Sequence, residues 1–240
     1  MTAGTRMLDS LLRELESETT RVTVYRRESD PPIDDIFPNR NVDITYKALP
    51  PAGPDPFVVV ERNSEFVGVL GLSELEALVE PPIVRSQDDD GVSEAYRVFF
   101  DVLDDTVFTA MDRTTLLAVS REIEDRAYRV GTGTLRVSFQ RFSAFQSQIA
   151  VYRSLAADTS LDIHIHGVAD WDPPAIDGIT YHDSDAGSLG RYWALTFDGG
   201  GDPMQASGLL AEERDDGYTG FWSDDAGIVA NIERGLVEHV

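Results

Sequence analysis

The sequence predicts an α+β protein: a largely antiparallel sheet of four or more strands packed by helices, with an αβ unit at the N-terminus. Three observations carry this. Residues 191–222 alternate extended runs with tight turns. Arg191–Phe197, Met204–Glu212 and Tyr218–Trp222 are separated by DGGGD (198–202) and RDDG (214–217), the pattern of an antiparallel meander. Helical spacing flanks that block: Leu116, Ile123, Ala127 and Val130 before it, and Ile228, Ile232 and Leu236 after it. In the first third, FVVVER and EFVGVLGL are joined by Asn63 and Ser64, a hairpin signal.

Taken in order, Met7, Leu8, Leu11, Leu12 and Leu15 share one face of an amphipathic helix. Arg21–Tyr25 and Val42–Ala48 read as strands, separated by the proline-rich loop SDPPIDDIFPNR with a helical turn at 34–37. After the hairpin, Ser73 caps a short helix, with Glu76 three residues on, and Pro81 and Pro82 end it. SQDDDG has no apolar residue and cannot pack, which sets the expected division: an N-terminal unit over 1–85, an acidic linker over 86–92 and a second domain over 93–240. Tyr96, Phe99, Phe100 and Leu103 restore helical spacing. Leu161–Gly167 alternates as a half-buried strand, and Ile179–His182 is a short one.

Charge singles out residues 113–157. The chain carries a net charge of −23, yet this stretch holds Arg113, Arg121, Arg126, Arg129, Arg136, Arg141 and Arg153 against Glu122, Glu124 and Asp125. A basic island in an acidic chain needs an anionic partner, inside or outside the protein. The stretch reads as helix, glycine turn, short extended piece and second helix. Within the first helix, Glu122 and Arg126, Asp125 and Arg129, and Arg121 and Glu124 are spaced as surface ion pairs, each contributing about 0.2–0.5 kcal/mol. Glu212 and Glu213 are further acids able to meet these arginines. Arg136 and Arg141 have no acid nearby in the sequence.

Composition also excludes. Lys47 is the sole lysine, and dense acid with arginine as the basic residue is the composition of a halophilic, archaeal protein. The charge argues against nucleic acid, whose phosphates need clustered cations. With no cysteine, thiol catalysis, disulfides and thiolate metal sites are excluded. The N-terminus lacks the apolar core of a signal peptide and no run is long enough for a membrane span, so a cytoplasmic protein is expected.

The candidate sites are few. His164 and His166 share a strand face, and His182 with Asp183 could complete a metal shell, but no known spacing signature accompanies them. A water-exposed polar strand face is the preferred reading, and no metal or other cofactor is expected. Gly199–Gly201 lacks the following helix and the lysine of a phosphate loop, so it reads as a hairpin turn. Glu212 and Glu213 end a strand pointing to opposite faces and cannot act as one acid/base pair. Ser120, His182 and Asp183 lack a nucleophile-elbow context. Phe221, Trp193 and Trp222 lie on neighbouring predicted strands. With Arg136, Gln140 and Arg141 they make an expected contact site for a planar anionic ligand or an acidic partner surface.

The block SREIEDRAYRVGTGTLRVSFQRFS resembles the signature of the DICT domain, a sensory domain of diguanylate cyclases and two-component systems. GLLAEER (208–214) and GFW (220–222) resemble its two later blocks, in order. The resemblance covers about 92–240, and the first half is similar to that of stand-alone haloarchaeal members. Tyr128 stands where Trp is usual and Phe142 where Leu is usual. Ser223 and Asp224 replace a Thr-Tyr pair, which removes an aromatic ring. The resemblance implies a non-catalytic sensory protein that detects a small ligand or a light or redox signal. No kinase, cyclase or helix-turn-helix pattern is expected in the chain, so the signal would pass to a separate histidine kinase or transcription regulator. The alternatives are an enzyme acting on a small anionic metabolite at the arginines, and a ligand-free protein–protein adaptor.

Overall fold

The computed structural model describes residues 2–16, 20–28, 30, 42–73, 107–111, 113–184, 189–215 and 217–238. The helices expected after Ser73 and over 93–103, the linker 86–92 and the loop 31–40 lie outside those residues. By its contacts the chain forms two compact units, Leu15–Thr109 and Met1–Glu14 with Ala110–Val240. The fold is α+β, with two sheets.

In the smaller unit the strands are β1 (Thr20–Arg26), β2 (Val42–Ala48), β3 (Phe57–Arg62) and β4 (Glu65–Gly71), in the order β2-β1-β3-β4. β1 and β2 are parallel and the other pairs antiparallel. The β3–β4 turn is the expected hairpin. Asn63 and Ser64 take φ of 50° and 70°, the positive values that a two-residue turn of type I′ needs to match strand twist. Val22, Val24, Val58 and Val60 are fully buried, each on alternate strand positions.

The larger unit holds the seven-stranded sheet β5-β11-β10-β9-β6-β7-β8. Its strands are β5 (Phe108–Met111), β6 (Thr132–Arg141), β7 (Ser160–Val168), β8 (Ile179–Asp183), β9 (Tyr192–Phe197), β10 (Ser207–Arg214) and β11 (Gly217–Ser223). Its helices are α1 (Ala3–Glu16), α2 (Arg113–Val130), α3 (Phe142–Phe145), α4 (Ile149–Asp158) and α5 (Ala226–Val237). β9, β10 and β11 form the expected meander, and β9 also pairs antiparallel with β6. β6, β7 and β8 are parallel, so α3 and α4 serve as the crossover that parallel strands require.

Register decides what each face meets. Arg136, Thr196, Gly208 and Ser223 form one cross-strand row, and Val137, Leu195, Leu209 and Trp222 form the next, on the opposite face. The first row faces α5: a Cβ on Gly208 would lie 3.3 Å from Ile232 and Val229. A Cβ on Gly235 of α5 would collide with Leu8, so this glycine is what lets α1 lie against α5. On the other face Phe139 meets Phe145 of α3 at 5.4 Å and Tyr152 of α4 at 5.6 Å between ring centroids.

The structure differs from expectation at three points. The short extended piece after Gly131 is the ten-residue β6, an inner strand of the sheet. Its alternation of Leu135, Val137 and Phe139 is interrupted by Gly133, whose φ of 104° and close approach to Asp198 and Gly200 exclude a side chain. The strand expected from Met204 begins at Ser207, because Asp202 caps a 3-10 turn over Pro203–Gln205, accepting from the Met204 amide at 3.0 Å. Finally, β10 lies between β9 and β11, so Trp193 and Trp222 are not on adjacent strands. No helix among the described residues is long and apolar enough to cross a membrane.

Candidate functional site

The C-terminal end of β6 is where the backbone departs from regularity. Gln140 takes φ of 65°, uncommon for a non-glycine residue and worth about 1–3 kcal/mol of strain. The β6–β7 register shifts between Ser138 and Arg141. This bulge re-aims Gln140, whose Nε2 donates to Glu213 Oε2 at 3.0 Å. Trp193 pairs with Phe139 on one side and Ala211 on the other. The guanidinium of Arg113 lies 5.1 Å from its ring centroid, and Tyr218 meets the indole edge-on at 5.9 Å. Tyr218 stands opposite Glu213 in register. Burial and then the Glu213 charge push the Tyr218 hydroxyl above its ordinary pKa, against the charge and hydrogen bond of Arg113.

One polar atom here is left over. Trp193 is 4% exposed, and its Nε1 is buried without a hydrogen-bond partner. An indole N–H can only donate, and leaving such a group unbonded costs about 1–3 kcal/mol. The end of the sheet therefore gathers an unused donor, a cation at Arg113, and a carboxylate and amide at Glu213 and Gln140. That set suits a small molecule carrying both an acceptor and a donor.

The five residues expected to make the contact site fall in three places. Gln140 and Trp193 lie at the end just described, with Arg141 beside them, exposed and in no ion pair among the described residues. Arg136 is on the opposite face, its Nε 2.8 Å from Glu233 Oε1 of α5. Trp222 is 2% exposed, within the row that holds Leu209 and Leu195.

The arginines of α2 are engaged. Arg121 bonds Glu124 and Gln148, and the Tyr152 hydroxyl donates to Glu124 at 2.6 Å. Burial raises the Glu124 carboxyl pKa, opposed by Arg121 and the Tyr152 hydrogen bond. Glu122, also buried, meets Arg129 at 3.5 Å, one turn further than the expected spacing. Desolvation likewise raises its pKa, against Arg129 and Arg126. Arg126 pairs with Asp224 at 2.9 Å and reaches the Ala206 carbonyl at 3.4 Å. Asp125 is exposed and not without partners. Glu212 and Glu213 do point to opposite faces. Glu212 takes Arg191 at 3.1 Å and Arg214 at 3.2 Å, while Glu213 takes Gln140. Arg191 and the Tyr192 hydroxyl both bond Asp9 of α1, and burial followed by that bond raises the Tyr192 pKa well above normal.

The three histidines come together on the Arg136 face. His164 Nδ1 and His182 Nε2 are 2.8 Å apart, with ring centroids at 5.1 Å and planes within 24°. His164 Nε2 is 3.0 Å from Asp162 Oδ2. His166, 1% exposed, stacks on His182 at 4.5 Å. Among the described residues no group of three or more His, Asp or Glu side chains is arranged to hold a metal ion. Near-parallel rings with facing nitrogens make an N–H···N hydrogen bond.

Sequence reasoning passed over Arg113, Tyr218, Glu233, Asp9 and Arg191. Arg113 belongs to the basic island and Tyr218 opens a predicted strand, so both were visible as candidates. The Asp9–Arg191 contact joins residues 182 apart and left no local signal.

Residues 100–214 match the model of the DICT family, described as a sensory domain in diguanylate cyclases and two-component systems. No curated protein matches the chain. Among solved structures, the polyphosphate kinase of Porphyromonas gingivalis aligns with 96% of this chain and 48% of its own, at 13% identity and a TM-score of 0.37. The chain thus spans about half the length of that kinase, and a likeness at that score carries no argument. The segment that matches the DICT sensory-domain model contains α2, the inner strand β6 with its bulge, both strands that carry Trp193 and Glu213, and the histidine pair.

Proposed function

We propose that this chain is a non-catalytic sensor in signal transduction, which binds a small ligand at the end of β6 and hands the signal to a separate histidine kinase or transcription regulator. The family match supports the sensory role. The observation that carries the site is the buried Trp193 Nε1 without an acceptor, beside the strained Gln140. A ligand acceptor would satisfy that donor. Glu213 and Gln140 would then meet the ligand's own donor, and Arg113 and the exposed Arg141 would favour an anionic group. Strained backbone and an unbonded buried donor are both costs that binding can offset.

The test is native mass spectrometry of the protein purified in high salt from its own host. The wild-type chain carries a defined small molecule, and Trp193→Phe and Gln140→Ala lose it while keeping the wild-type melting transition. A wild-type protein that carries nothing, or variants that retain the molecule, would count against the site.

A further inference from the structure

We propose that His164 and His182 form a proton-binding site, a pair that accepts one proton with its N–H···N bond intact and is forced apart by a second, loosening the edge strand β8. The geometry sets the proton count. His164 Nδ1 and His182 Nε2 face each other at 2.8 Å, so one of the two nitrogens carries the shared proton and the other accepts it. A first added proton goes to the outer nitrogen of the donor ring. The bond between the rings survives, and the Asp162 carboxylate, 3.0 Å from His164 Nε2, lies close to the added charge. A second proton has only the accepting inner nitrogen to occupy. There it faces the other ring's N–H across 2.8 Å, two donors with no acceptor between them. The rings must then separate.

The surroundings make the second proton costly and give it a mechanical output. From β6, Arg136 adds a positive charge to the same face, and Glu233 of α5 is engaged by Arg136. On β7, Asp162 is the single acid against the pair, and His166 is stacked on His182. On β8, Asp183 points to the other face and accepts from the Ala169 amide. Burial, then His164, then Arg136 hold His182 below the ordinary histidine pKa, opposed by Asp162. Native β8 thus binds fewer protons than the unfolded chain below the ordinary histidine value, so its stability falls as pH falls through that value. β8 is five residues long, lies at the sheet edge and pairs with β7 alone. It is the element that separation of the rings would release.

The experiment uses the full chain in concentrated KCl, titrated from about pH 8 to about pH 5. Imidazole ¹⁵N spectra report the two rings, and hydrogen exchange reports the amides of β8 and of β10. The expected result is a joint two-step titration of His164 and His182, as interacting sites give. Once the second proton binds, β8 protection factors fall about tenfold per pH unit while β10 is unchanged. His182→Gln and His164→Gln each remove that slope, and the wild-type spectra stand by themselves if a variant fails to fold. Independent single-step titrations would overturn the proposal. So would a slope that persists in both variants, or loss of β10 protection in step with β8. None of these readouts depends on a ligand at Trp193.

Discussion

Arg136 of β6 and Glu233 of α5 lie 97 residues apart in sequence and meet at 2.8 Å, both side chains largely buried. This bond ties the last helix to the sheet, on the face where Gly208 leaves room for Ile232 and Val229. Arg136→Ala is expected to lower stability by about 1.5–3 kcal/mol, the range for a hydrogen bond to a charged group, because Glu233 keeps its charge and loses its partner. Urea melts of Arg136→Ala, Glu233→Gln and the double variant check this. A coupling energy near zero would mean that the pair does not hold α5.

Tyr152 and Glu124 make the second prediction. Glu124 is 4% exposed and depends on the Tyr152 hydroxyl at 2.6 Å and on Arg121. Tyr152→Phe is expected to cost about 1–3 kcal/mol. The sign with pH follows from burial, which raises the folded pKa of Glu124 above its ordinary carboxylate value. Between those two values the native state holds more protons than the unfolded one, so this group's contribution grows as pH falls and is complete below the unfolded value. The stability of wild type relative to Glu124→Gln should therefore rise from neutral pH toward about pH 4.5. A difference that is flat or falls with acid would show that Glu124 is not held in this way.

The third prediction concerns salt. A net charge of −23 repels itself, and the histidine and arginine clusters neutralise little of it. Lowering KCl from multimolar to about 0.1 M lengthens the screening distance to about 10 Å. Circular dichroism should show loss of helix and strand signal over that range. Full structure at low salt would remove the support for a halophilic origin.

Most of the scaffold was legible because its signals are local. The β9–β10–β11 meander announced itself by turn residues at 198–202 and 214–217, α5 by Ile228, Ile232 and Leu236, and the β3–β4 turn by Asn63 and Ser64. The sequence shows β6 as a short piece because Gly133 breaks its alternation, and that glycine answers to Asp198 and Gly200, 65 and 67 residues further along the sequence. Where the five expected contact residues lie was half legible for the same reason. Composition marked Gln140 and Trp193, whereas the bulge that turns Gln140 toward Glu213, and the partner that takes Arg136 away, are set by register. His164 and His182 were noted as residues, but their hydrogen bond depends on the parallel pairing of β7 with β8, which no local pattern encodes.

The last prediction separates two arginines of the basic island. Arg126 is mostly buried, pairs with Asp224 at 2.9 Å and touches the Ala206 carbonyl, so it links α2 to the start of β10 and the end of β11. Arg126→Ala leaves Asp224 without that partner and should lower stability by about 1.5–3 kcal/mol. Arg141 follows the bulge, is exposed, and acts on Asp170, whose pKa is lowered first by the Ser143 side chain, then by its backbone, and least by Arg141. Arg141→Ala should change stability by less than about 0.5 kcal/mol, as exposed substitutions do. If Arg141 contacts the ligand or an acidic partner surface, the same change removes the response. Thermal melts and a binding or signalling assay on both variants decide the matter. An early-melting Arg141→Ala, together with an Arg126→Ala that melts normally and fails to respond, would exchange the structural and functional roles assigned to the two residues.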